Sequence, residues 1–502
     1  MRGTEPGTPN ATPSAGVSEA ATAATPSAMR TRRLAIVLST ALGACSTYGV
    51  VDVMLPLYAK RVLSLDASAF SSLVSVQKAS LVPGIFLVPW LLRSTSSALL
   101  GAVALAVYGC ATPAMFSAGG PGVRFMAPFV LFGVSCEIVF IALNALTQAV
   151  DPADPGPPNT LYRLVRAGAS VAAPWAAARM LSAFGEAHLF GSLPLLLAAA
   201  MLAAAATLRY FPLPGAEEAA AAAPPMVVLK ELPRLPAAAA AVVAAAAAPA
   251  APATTASAAG KRASAGLGPA AAAAAAAATA VSSLLASARD GLGDRRAVLL
   301  IVLMQVIGTT WVTVQAFIFY YVTEDLGHDV RYFGGLKSAA KLGGFCSITL
   351  VGLGISRLGM KPTMLLCQVG SAAFLALMAA SRRWAVYGYI GHCMLSDAIP
   401  MISSIWVSSL ALGQHGGGGA DATNRKASVF AMKKVIGRAI NSVGLMAMGA
   451  VSRSVGSKPA VFAICSAVGF VTTCFMAMMP APPPMPESPR RGQPPKAKPK
   501  SE

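Results

Sequence analysis

The chain has 502 residues, 55% of them hydrophobic and 12% charged, with a mean hydropathy of +0.63. That composition excludes a soluble globular domain and fits a protein of many bilayer-spanning helices. A net charge of +19 would suit a nucleic-acid binder, but no basic stripe on a soluble domain accompanies it, so the excess is read as membrane topology.

Residues 1–33 form a Ser/Thr/Ala/Pro-rich tail, expected to be disordered and not a signal peptide. Six apolar stretches follow, near 34–58, 67–92, 97–117, 125–149, 161–183 and 188–208, within a first half at 34–209. The segment 210–296 is dominated by Ala with Pro, Gly and Ser. Alanine is barely favourable in hydrocarbon, so this segment reads as a disordered cytosolic linker. Six more stretches lie near 298–321, 331–355, 362–380, 384–412, 428–451 and 459–479, within a second half at 297–479. A basic, Pro-rich tail at 480–502 ends the chain. The expectation is an all-α polytopic membrane protein of twelve spans.

Orientation follows from Lys and Arg. With twelve spans both tails, the linker and the even-to-odd loops share one side, which collects 22 of the 39 basic residues, against 8 on the other side and 9 inside spans. The asymmetry places both termini in the cytosol. The eight cysteines fall in or beside apolar segments with no CxxC pair, as reduced packing residues would. No Ser-His-Asp order, phosphate-cradling Gly loop or metal-spaced His cluster is present, so neither an enzyme nor a cofactor is expected. The glycines of Gln414–Asp421 read as a flexible cytosolic loop.

The halves repeat. Displaced by 263 residues, Tyr58–Lys78 matches Tyr321–Lys341 at 7 of 21 positions: Tyr58/Tyr321, Leu63/Leu326, Asp66/Asp329, Phe70/Phe333, Leu73/Leu336, Ser75/Ser338 and Lys78/Lys341. Six plus six spans around a long insert resembles the major facilitator superfamily. "GLGISRLGMK" (Gly352–Lys361) resembles that superfamily's G-x-x-x-D-R-x-G-x-[RK] loop, with Gly352, Arg357, Gly359 and Lys361 in place and Ser356 where the family has Asp. In the first-half counterpart little remains beyond Arg93. A narrower likeness joins Asn144–Gly168 and Asn424–Gly444 to the glycoside–pentoside–hexuronide:cation symporter branch. That branch has an important lysine eight residues after a Phe in the eleventh span. Counted from Phe430, the position here holds Arg438. The branch's second-span aspartates are absent, and Lys78 stands in that span instead.

The resemblance implies that spans 1, 4, 7 and 10 line a central cavity flanked by 2, 5, 8 and 11. The charges inside spans obey that order. Asp52 is in span 1, Lys78 in span 2, Glu137 in span 4, and Arg163 and Arg166 in span 5. Lys337 and Lys341 are in span 8, His392 and Asp397 in span 10, and Lys433, Lys434 and Arg438 in span 11. An intramembrane charge is a functional hypothesis with a partner to name. Lys78, Lys341, Arg166, Lys434 and Arg438 are candidate substrate ligands, with Lys78 and Lys341 expected to clamp an anion as symmetry mates. The alternative pairs each lysine with a carboxylate, such as Lys341 with Asp397, or Lys78 with Asp52 or Glu137. Glu137, Asp52 and Asp397 are candidate proton or cation carriers. Arg163 reads as a snorkelling gate residue, and Lys433 as interfacial. The expected function is secondary transport of a small polar, anionic solute, with a coupling proton or cation and the bilayer as partners. A sugar-like or lipid-like solute:cation symporter is the alternative, and a receptor or scaffold on the same fold is the alternative of another class.

Overall fold

The structure is a computed structural model that describes residues 26–151, 156–209, 211, 295–413 and 420–481; at 26, 83–94, 295–297, 407–413 and 420–432 the description is of backbone alone. Most of the two tails, nearly all of the linker and residues 414–419 lie outside the described residues. The first half contributes α1 (Pro26–Arg61), α2 (Ala67–Ser94), α3 (Ser97–Phe116), α4 (Val123–Val150), α5 (Gly156–Phe190) and α6 (Ser192–Arg209). The second contributes α7 (Arg295–Tyr320), a π-helical turn (Tyr321–Asp325), α8 (Val330–Leu358), α9 (Met360–Ala380), α10 (Ala385–Ser396), α11 (Ile399–Gly413), α12 (Ala420–Val455) and α13 (Lys458–Met478). No strand occurs among the described residues. In hydrocarbon only a helix or a closed barrel satisfies every backbone N–H and C=O, and these apolar runs lack the period-2 pattern of barrel strands. By length and composition, nine helices among the described residues can cross a membrane.

The repeat read from the sequence is physical. Asp66 and Asp329 both cap the following helix, their Oδ1 atoms accepting from the N–H of Ala69 at 2.7 Å and of Tyr332 at 2.8 Å. Such caps are each worth about 1 kcal/mol. The hydroxyl of Tyr58 donates to the Ala118 carbonyl at 2.6 Å, and that of Tyr321 to the Met378 carbonyl at 3.4 Å, each tying a helix end to a neighbour's loop end. Ser64 (φ 52°) and Gly327 (φ 69°), again 263 apart, both turn the chain in the left-handed region. Packing repeats as well: α3 lies against α4 and α6, as α9 lies against α10 and α13. Across the halves α2 packs on α12 and α5 packs on α8, as a two-fold along the bundle requires.

Two elements differ from the sequence expectation. The tenth stretch is broken at Asp397 into α10 and α11. Pro400 has no N–H to offer the carbonyl of Ser396, and the ladder opens one turn before it. The fifth helix bends at Gly185 (φ 77°), just after the expected end of its span at 183.

The halves are fastened at one end. Ser68 Oγ donates to the Gly449 carbonyl at 2.6 Å, Ser71 Oγ to Leu445 at 2.8 Å and Ser75 Oγ to Ser442 at 2.7 Å, stitching α2 to α12. Tyr320 Oη reaches the Leu65 carbonyl at 3.0 Å. Glu324 holds Lys60 at 2.9 Å and Lys458 at 2.8 Å. Gly334 lies so close to Pro174 and Ala178 that a Cβ there would overlap both. Among the described residues, the hydrogen bonds and ion pairs between the halves all lie at the level of Asp52 and Glu137 or nearer the α1–α2 and α7–α8 turns. We call this the turn end, and the opposite one the termini end.

Candidate functional site

Seven of the charges inside spans pair off in three clusters. Asp52, nine residues before the end of α1, takes Lys337 of α8 at 2.5 Å. Lys337 is 2% exposed and Asp52 33%, so the lysine is enclosed while the carboxylate keeps contact with solvent. Glu137, at mid-length of α4, is held by two cations of the other half: Lys434 and Arg438, one turn apart on α12, each at 2.8 Å. Asp397, at the α10–α11 break, lies 3.5 Å from Lys341 and rests on Gly344, where any side chain would displace it. The Lys341 ammonium also lies 5.0 Å above the ring of Trp311.

The two symmetry-related lysines therefore stand in different surroundings. Lys341 has Asp397 in its own half. Lys78 has no carboxylate within ion-pair distance among the described residues. Asp52, one of the two carboxylates considered for it, holds Lys337 instead, whose counterpart in the repeat is Val74. Lys337 was named among the span charges but not singled out. Its signal was available, since it is one turn from Lys341 and thus on the same face.

Arg166 of α5 also lacks an ion-pair carboxylate among the described residues; its guanidinium sits 4.7 Å from the Phe140 ring, one turn beyond Glu137. Gln77, the residue before Lys78, packs on Gly133 of α4, one turn before Glu137, so α2 and α5 bring Lys78 and Arg166 to neighbouring turns of α4. Tyr48 is 42% exposed although it lies mid-way along α1.

Other candidates have packing partners. His392 is fully buried and its Nδ1 pairs with Ser371 Oγ at 2.8 Å. Lys433 donates to Ser403 at 2.7 Å and Ser404 at 3.0 Å, joining α12 to α11. Of the gating-loop candidates, Gly359 (φ 87°) makes the tight α8–α9 corner. Lys361 donates to the carbonyls of Ala477 at 2.8 Å and Met479 at 2.6 Å, closing the end of α13. Ser356, where the superfamily has Asp, bonds back to Leu353 in its own helix. Arg357 lies on the exposed last turn of α8, and Gly352 has open space around its Cα. The Arg93 side chain lies outside the described residues. No cluster of His, Cys, Asp or Glu fit to hold a metal occurs among the described residues.

No protein-family profile and no curated protein matches the chain. Solved structures do. The nucleoside transporter NupG, as a point mutant, superposes with a TM-score of 0.63 at 12% identity, covering 89% of this chain and 99% of its own. A peptide transporter POT in complex with sulfate gives 0.61 at 13% identity, covering 88% and 93%. A POT family transporter in complex with 5-aminolevulinic acid gives 0.62 at 12% identity, covering 88% and 95%. At such identity the likeness establishes the fold. The chain is all-α, in two pseudo-symmetric halves, and shares the fold of these solved transporters.

Proposed function

We propose that this chain is a secondary transporter of a small, polar, anionic solute, working by alternating access across twelve spans with both termini in the cytosol. The observation that carries the reading is the charge count around the cavity. Lys78, Arg166, Lys337, Lys341, Lys434 and Arg438 make six cations against Asp52, Glu137 and Asp397. All three carboxylates are already engaged, and they hold four of the cations. Cations left over in a cleft with low-dielectric walls attract an anion. A neutral sugar would leave them uncompensated.

The sequence reading made Glu137, Asp52 and Asp397 the carriers of a coupling proton. In this arrangement a proton arriving at any of them has to displace an ion pair, and at Glu137 two at once. Glu137→Gln in proteoliposomes decides that role, since a coupling carboxylate cannot be replaced without losing the response to a pH gradient.

The anion reading is tested by thermal unfolding of the purified full chain against inorganic phosphate, a sugar phosphate, mono- and dicarboxylates and neutral sugars. Stabilisation by the anions is expected, followed by counter-flow uptake of the best of them. Stabilisation by neutral sugars alone would overturn it.

A further inference from the structure

We propose that the protein is an anion exchanger, because Lys78 and Arg166 prevent the empty carrier from reorienting. The inference rests on the anion reading above and adds the mode of transport to it.

The four cations that have carboxylates belong to α8 and α12 of the second half, whereas Lys78 and Arg166 belong to α2 and α5 of the first. The anion seat is therefore one-sided. Gln77, the residue before Lys78, packs on Gly133 one turn before Glu137, and Arg166 stacks on Phe140 one turn after it, so both cations flank Glu137 on α4, whereas Lys341 pairs with Asp397.

In the present conformation the turn end is closed by the α2–α12 serine bonds and by the Asp52–Lys337 pair. To reorient, the halves must part there and close at the termini end. Closure strips water from the cavity. It also carries Arg166 of α5 toward the second half, whose Lys434 and Arg438 have only Glu137 between them. Two unpaired cations would then be enclosed beside a cluster that is itself net positive, and burying an uncompensated charge is strongly unfavourable. A bound anion removes that obstacle, because it meets both cations as the water leaves. A ligand shifts such an equilibrium only by its differential affinity for the two states, and here the difference arises from the dehydration of Lys78 and Arg166. The filled carrier crosses in both directions and the empty one stays. Transport is then one anion out for one anion in, with no coupling proton required.

The two turn-end ion pairs do not substitute for this brake. Asp52–Lys337 and Lys60–Glu324 are matched pairs that break whether or not a ligand is present.

The brake is testable without knowing the solute. Hydrogen–deuterium exchange is measured on the full chain in neutral-lipid nanodiscs, in gluconate buffer free of phosphate and small carboxylates. The reporters are peptides covering 65–77 and 441–450, which the turn end buries. In the unsubstituted protein they are expected to exchange slowly. Lys78→Met and Arg166→Gln should each speed their exchange about tenfold, and Lys78→Arg, which keeps the charge, should not. A thermal unfolding curve confirms that each variant is folded. Equal exchange in the unsubstituted protein and in both neutralised variants overturns the proposal. Addition of 10 mM inorganic phosphate should speed exchange in the unsubstituted protein and leave Lys78→Met unchanged. A brake that phosphate does not release overturns the anion reading while leaving the electrostatic brake in place, so the two failures are distinguishable. In proteoliposomes, labelled phosphate should be taken up only by vesicles loaded with phosphate; equal uptake by empty vesicles refutes exchange and leaves anion transport standing.

Discussion

The ion pair between Asp52 and Lys337 gives an asymmetric prediction. Replacing Asp52 by Asn leaves the Lys337 ammonium at 2% exposure with no carboxylate within ion-pair distance among the described residues, 5.6 Å from the Phe333 ring centre. Breaking a buried pair by removing one partner costs about 3–5 kcal/mol. The lower figure applies, because Asp52 is 33% exposed and water reaches the pair from its side. Replacing Lys337 by Met leaves the carboxylate, which can rehydrate, and should cost about 1 kcal/mol. The double variant puts a thioether chain in the enclosed position opposite a neutral amide, and should recover to within about 1 kcal/mol of the parent. Denaturant- or heat-induced unfolding in one detergent, followed by Trp fluorescence, orders the three proteins. Because the pair joins α1 to α8 across the halves, Asp52→Asn should also expose the turn end to hydrogen exchange. Equal losses in the two single variants with an additive double would show that the groups do not depend on each other, and the argument would fall.

Two further outcomes follow from backbone geometry. Ser64 holds φ 52° where the equivalent Gly327 holds 69°, so Ser64→Gly should raise thermal stability by about 1 kcal/mol and Gly327→Ser lower it by a similar amount, as unfolding midpoints would record. Gly334→Ala would place a Cβ against the Pro174 carbonyl and Ala178, so α5 and α8 can no longer meet, and hydrogen exchange at 65–77 should rise without loss of helix by circular dichroism.

Much of the architecture was legible because hydrocarbon allows so few backbone solutions. The apolar stretches fold as helices among the described residues, and the caps at Asp66 and Asp329 are where the repeat placed them. The break at Asp397 was harder to read. Pro400 inside an apolar run resembles an ordinary hinge, and whether a helix bends or stops there depends on the neighbours that receive the freed carbonyl. Pairing was hardest of all. Helical period tells which charges share a face, and so Lys434 and Arg438 were rightly set together. It cannot tell which helix lies opposite, at what height, or that Lys337 would take the carboxylate that Lys78 stood equally near in the alternatives.

The repeat itself concealed the functional difference between Lys78 and Lys341. Equal steps after equal caps put the two lysines at equal depth, and that equality suggested a clamp with one jaw from each half. The halves have diverged in their carboxylates, however, and a lysine's role is set by what faces it. Asp397 sits on Gly344 beside Lys341, so in the second half the charge is matched locally. In the first half Glu137 is drawn across to α12, and Asp52 to α8, which leaves Lys78 unmatched. Methionine at each position should then have opposite consequences. Lys341→Met strands Asp397, which is 23% exposed, and should lower stability by about 1–3 kcal/mol while phosphate still protects the protein. Lys78→Met removes a repulsion and should leave stability unchanged or slightly higher, with protection by phosphate lost. Both are read from one pair of unfolding curves, with and without phosphate. If the two variants lose stability and phosphate protection together, the symmetric clamp is correct and the one-sided seat is not.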